Sequence, residues 1–182
     1  RDEIQSRLTK IVADVDKLTE QLELAVDHRG MLESILKALT RQEEAAKKAA
    51  EGRAKFGEMK ARFDAGSVAL DAAKATKVQM DKLPRADRAT LQPQLAASTN
   101  TAVTELNAAL GVLGPTDANR GLVLARLGEA YEINEKYADA ASTYQQAVAV
   151  KPDPASYNNL GNSLARTGKV DDALLAYQKA ID

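Results

Sequence analysis

Leu127-Gly128-Glu129-Ala130-Tyr131, followed by Ala140, Tyr144 and Ala147, returns as Leu160-Gly161-Asn162-Ser163-Leu164, followed by Ala173, Tyr177 and Ala180. Each position of the first copy has its counterpart 33 residues on. Within a copy the apolar and small residues fall three and four apart, the spacing of one helical face. A constant period of this size marks stacked units, none of which can bury its own apolar face alone. Architectures of this kind present a surface; catalysis is rarely their work.

Working outward from the two copies, Thr116 or Asp117 opens a helix to about Asn134, and Tyr137 opens another to about Val150, ended by Lys151-Pro152. Ala155 to Thr167 and Val170 onward repeat the pair. The matching residues are Leu124, Leu127, Gly128, Tyr131, Tyr137, Ala140, Tyr144, Ala147 and Pro152, then Tyr157, Leu160, Gly161, Leu164, Gly168, Ala173, Tyr177 and Ala180. This pattern resembles the tetratricopeptide repeat family, a helix-turn-helix unit of about 34 residues. The resemblance covers residues 121–182 and implies a right-handed α-solenoid, with 121–153 a complete unit and 154–182 a truncated one. Further repeats after Asp182 are expected on that reading. Small residues at Gly128 with Ala140, and Gly161 with Ala173, let the paired helices approach, while the tyrosines fill the remaining space. Glu135 stands where the family usually has glycine, which implies an altered turn, and Pro152-Asp153-Pro154 implies a tight, stiff step between units.

In the family, the first helices of successive units line a concave groove that holds a peptide or helix of another protein. By position, that groove receives Leu122, Ala125, Glu129 and Glu132 from the first unit and Ala155, Asn158, Asn162 and Arg166 from the second. Glu129, Glu132, Asn158, Asn162 and Arg166 are the expected partner-binding residues. Asn158 and Asn162 lie one turn apart, and amide side chains both donate to and accept from a peptide backbone. Arg166 is the one cation in this set, so the lysine-rich carboxylate clamp of some family members is incomplete.

Towards the amino terminus the chain spells a different pattern. Ile4, Leu8, Ile11, Val15, Leu18, Leu22, Ala25, Leu32, Leu36 and Leu39 alternate in steps of four and three, interrupted at Arg29. That is an apolar seam along one helix. Val12, Val26 and Ile35 widen it, which suits a bundle or helical hairpin better than a two-stranded coiled coil. Beyond Leu39 the seam fades. Glu43 with Lys47, Glu44 with Lys48, Glu51 with Lys55 and Glu58 with Arg62 are acidic-then-basic pairs at a spacing of four. Gly52 and Gly57 mark a bend. Phe56, Met59, Phe63, Gly66, Leu70 and Ala73 then bury another face, the two phenylalanines as core. Ser67 caps a helix to Leu83, which Pro84 stops. Asp87 caps another carrying Leu91, Leu95, Ala102, Leu106, Leu110 and Leu113, whose true start lies near Thr90 to Gln92 because of Pro93. Ala102, Leu106 and Ala109 share the spacing of Ala140, Tyr144 and Ala147, as a divergent repeat would. The fold is therefore read as all-α, with a bundle or coiled-coil-like hairpin in 1–113 and repeats in 116–182.

Composition narrows the chemistry. The 182 residues carry a net charge of −1 with acids and bases interspersed, so there is no basic field to attract nucleic acid. With no cysteine and a single histidine, His28, thiol chemistry and a Cys/His zinc site are excluded within one chain. No apolar run approaches the length of a membrane span. No phosphate-cradling glycine loop and no nucleophile paired with histidine is present; Asp171-Asp172 sits at a helix start, where acids suit the dipole. The sequence thus points to a non-enzymatic module without metal or cofactor that binds a protein or peptide. Two alternatives stand beside it: an assembly protein self-associating into a homo-oligomer through residues 4–39, and the regulatory region of a larger enzyme.

Overall fold

The computed structural model describes residues 2–181, the side chains of Asp2 and Ile4 excepted. Among the described residues all regular structure is helical: α1 (Asp2–Lys82), a 3-10 turn (Asp87–Thr90), α2 (Gln92–Val112), α3 (Arg120–Ile133), α4 (Tyr137–Val150), α5 (Pro154–Arg166) and α6 (Val170–Ile181). The chain divides into two compact units, residues 1–52 and 53–182.

The first unit is the amino-terminal part of α1. Ala, Leu, Glu and Lys dominate its sequence, and their intrinsic preference carries the helix. From Gln5 to Gly52 every residue is exposed. Leu8, Ile11, Val15, Leu18, Leu22, Leu32, Leu36 and Leu39 form the expected seam, each more than half exposed. Ile4, its first member, lies outside the described side chains. The expected acidic-then-basic pairs do not close. Between residues 3 and 52 the ion pairs are Arg7–Glu3 at 3.1 Å and Arg29–Glu33 at 3.0 Å. Exposed pairs of this kind contribute only about 0.3–0.5 kcal/mol, too little to hold long side chains in one geometry everywhere. The chain is helical through Gly52 and Gly57, so neither glycine ends α1.

In the second unit, residues 53–82 of α1 bury a new face. Met59, Leu70, Ala73 and Met80 are buried, and Phe63 packs half-buried against Leu106 and Val123. Phe56 departs from the expected pair: it is 55% exposed. The helix also runs through Ser67, so that residue is no cap; its hydroxyl is buried without a partner. Helix α1 ends at Lys82 as Pro84 requires. Asp87 begins a single 3-10 turn, and α2 follows with Pro93 in its first turn, where a missing N–H costs nothing.

One joint recurs through this unit. A Cβ on Gly128 would stand 2.7 Å from the Tyr144 ring, and one on Gly161 2.5 Å from the Tyr177 ring. A Cβ on Gly66 would stand 2.7 Å from Leu106 Cγ. Ala102, Leu106 and Ala109 are fully buried, as are Ala140 and Tyr144. The hairpin of residues 53–82 with α2 is thus closed in the same way as α3 with α4 and α5 with α6. Stacking proceeds α2 on α3 and α4 on α5, and the result is an all-α solenoid.

The turn at Glu135 is not altered. Glu135 takes φ 58°, and its counterpart Gly168 takes φ 80°. Lys136 N–H donates to the Tyr131 carbonyl at 2.9 Å, and Lys169 N–H to the Leu164 carbonyl at 3.0 Å. The left-handed conformation costs a residue with a Cβ about 1–2 kcal/mol, and this turn bears that cost to keep the geometry of its neighbour. Between the two repeats Asp153 caps α5, its side chain accepting from Ser156 N–H at 3.0 Å, with Pro154 in the first turn.

Candidate functional site

Helices α3 and α5 stand as first members of their hairpins, and both line an open cleft of about 470 Å³. Leu122, Ala125, Arg126 and Glu129 project from α3 at spacings of three and four, one helical face. Ala155 and Asn159 face them from α5, and Lys151 and Asp153 close one end from the linker. Leu122 also borders a smaller apolar recess of about 240 Å³ with Phe56, Met59, Phe63 and Val123. A cleft that carries charged and amide groups and an apolar recess therefore adjoin at one exposed leucine.

The five expected binding residues fall into different settings. Glu129 lies in the cleft, where it accepts from Lys74 and, at 3.3 Å, from Arg126. Glu132 is turned into the helix stack instead. Its Oε2 accepts from the Tyr144 hydroxyl at 3.0 Å and its Oε1 from Ser163 Oγ at 2.7 Å. One carboxylate thereby joins α3, α4 and α5. Burial, and next the Glu132 charge, push the Tyr144 phenol well above its ordinary value, so it is a standing hydrogen-bond donor.

Asn158 is exposed on α5. Asn162 is exposed but accepts from the Tyr177 hydroxyl at 2.8 Å. Arg166 donates to the Tyr137 hydroxyl at 2.8 Å, its guanidinium carbon 4.6 Å from that ring's centroid. Neither Asn158, Asn162 nor Arg166 lines the cleft. Arg126, Lys151 and Asn159 do, and none of the three is among the expected binding residues. A signal existed: Arg126 and Asn159 are counterparts one period apart, as are Leu122 and Ala155, so one register position recurs on the cleft side.

Chemically the cleft offers an amide, two cations and two carboxylates around a short apolar floor. Such a set can hold a polypeptide backbone and its side chains. Among the described residues there is no group of three or more His, Asp or Glu side chains placed to hold a metal, and no helix is long and apolar enough to cross a membrane.

Residues 125–182 match the tetratricopeptide repeat family, and this segment is a tetratricopeptide repeat segment. Among curated proteins the chain is similar to a peroxisomal targeting signal receptor of Candida albicans, 30% identical over 105 residues. That match takes in 57% of this chain and 18% of the receptor. Among solved structures it resembles one titled "Crystal structure of MamA", with a TM-score of 0.42 and 22% identity, over 60% of this chain and 64% of that one. The repeat segment makes this chain the carrier of a protein–protein interaction module, a class whose members are typically non-catalytic.

Proposed function

We propose that α3 and α5 bind a short extended segment of a partner protein in the cleft floored by Leu122, Ala125 and Ala155. The observation that carries this reading is the cleft itself: two first helices of successive repeats converge on it with backbone-binding groups. Asn159 and Arg126 would contact the peptide chain, and Asn158 on the exposed rim would add an amide contact. Glu129 would tune the charge of the site by holding Lys74 and Arg126. Glu132, with both oxygens engaged between helices, would order the site without touching the ligand. Asn162 and Arg166 would extend the surface along α5 after release from Tyr177 and Tyr137. The Candida albicans relative is named a receptor of a targeting signal, which favours a segment of another protein as the ligand class.

Panning random displayed peptides over the full chain, then measuring selected peptides by fluorescence anisotropy, tests this. Ala125→Arg fills the floor and is expected to weaken binding at least tenfold, and Asn159→Ala several-fold. Selected peptides that bind Ala125→Arg as tightly as the parent would place the ligand elsewhere. Asn162→Ala with Arg166→Ala reports separately on the extension along α5.

A further inference from the structure

The seam of the first unit is an apolar face that nothing within residues 3–52 covers. We propose that it pairs with a second copy of the same helix, antiparallel, with the two-fold axis crossing the seam between Ala25 and Arg29, at the level of residue 27, and residues 8–46 overlapping. This does not rest on the cleft or its ligand.

Charge and size along the helix carry the orientation. Asp14, Asp16, Glu20, Glu23 and Asp27 outnumber Lys17 in one stretch, whereas Arg29, Lys37 and Arg41 outnumber Glu33 in the next. An antiparallel pair centred at that level lays each acidic stretch along the basic stretch of its copy. A parallel in-register pair lays like on like and stacks Arg29 against Arg29 inside the seam.

The seam has one charged member, Arg29, and one alanine between Leu8 and Leu39, Ala25. Centring the pair at the level of residue 27 sets each Arg29 opposite the other copy's Ala25, the one place with room for a long side chain. The layers on either side are Leu22 with Leu32, Leu18 with Leu36 and Val15 with Leu39, all apolar. Sliding the pair by one heptad puts Arg29 against Leu18 or Leu32 and loses this match. A single polar seam residue fixing register is an established device of helical pairs. The added width of the stripe is used too, since Val26 then meets its own copy beside the axis.

The experiment uses the full chain. Sedimentation equilibrium is expected to give twice the 19.5 kDa chain mass; a monomer at about 100 μM overturns the proposal. Because the chain has no cysteine, single substitutions report orientation cleanly. Copies of residue 28 lie about 3 Å apart along the axis in this register and copies of residue 21 about 18 Å apart, at 1.5 Å per residue. Under mild oxidation His28→Cys is expected to form a covalent dimer at least tenfold faster than Gln21→Cys. Equal rates overturn the antiparallel register.

Leu22→Glu alone and Leu32→Lys alone are each expected to give monomers, with helical circular dichroism showing that they fold. The double variant is expected to restore the dimer, because residues 22 and 32 face each other across the pair. Failure of that rescue in a folded double variant overturns the pairing. Capture of a monomeric chain by phosphatidylcholine vesicles would assign the seam to lipid and also overturn it.

Discussion

Residues 3–52 and residues 53–182 are both helix written with apolar residues three and four apart, yet only the second stretch has a core. In the first, Leu22 remains 65% exposed; in the second, Leu106 is fully buried. The difference lies in the small residues. Gly66, Gly128 and Gly161 each let a large side chain of the facing helix sit against bare backbone, whereas nothing stands within 4 Å of a Cβ added at Gly30 or Gly52. Apolar periodicity makes a face available for burial; glycine and alanine placed against that face decide which helices of the same chain close upon one another.

The contrast breaks most sharply at Leu106. Leu106→Ala empties a fully enclosed site and is expected to destabilise the second unit by about 2–5 kcal/mol. Leu24→Ala, off the seam and exposed in the first unit, should stay within about 0.5 kcal/mol. Urea unfolding followed at the tyrosines, all of which lie in the second unit, measures the first variant, and helical circular dichroism of the same samples measures the second. Next comes Glu132→Ala, which strips the Tyr144 and Ser163 hydroxyls of their acceptor and should cost about 2 kcal/mol. A loss below about 0.5 kcal/mol would show the three-helix contact to be incidental.

Alkaline titration sharpens the comparison further. The folded Tyr144 phenol holds its proton more tightly than a tyrosine of the unfolded chain, whose ordinary value is 10.0. Its contribution is therefore complete below about pH 10 and is lost above it, as the unfolded state releases the proton first. The expected fall is about 1.4 kcal/mol per pH unit. Tyr144→Phe should flatten that slope. Smallest is Gly30→Ala, which meets open space in the isolated helix and should raise helical stability by about 1 kcal/mol. Circular dichroism of the first unit's melting reads it, and a loss would mean Gly30 is packed against something.

Much of the fold was legible because its signals are local and repeated. The period of 33, the helix stops at Pro84 and at Lys151-Pro152, and the buried run Met59, Gly66, Leu70 and Ala73 with half-buried Phe63 all follow from spacing and proline geometry. Glu135 was misread because sequence favours glycine in a left-handed turn and does not show when surrounding packing forces another residue into it. The ion pairs were misread for a related reason. Arg62 pairs with Glu105 of α2 at 3.0 Å rather than with Glu58 one turn away, a choice set by tertiary approach. Of the expected groove residues, Leu122, Ala125, Glu129 and Ala155 line the cleft, a placement that helical spacing makes legible. The tertiary partners of the others were not legible: Glu132 meets two hydroxyls from other helices, and Arg166 an aromatic ring 29 positions away in sequence.

The carboxylate of Glu132 has a consequence for how the array comes apart. In a stacked chain each hairpin can fray independently unless an interaction couples it to its neighbour. Glu132 holds Tyr144 within its own hairpin and Ser163 in the next, so opening either exposes the same charge to an unmet demand. Amide hydrogens of α3, α4 and α5 should then exchange in one shared event, with α6 opening earlier and alone. The first repeat would thereby borrow cooperativity from the second.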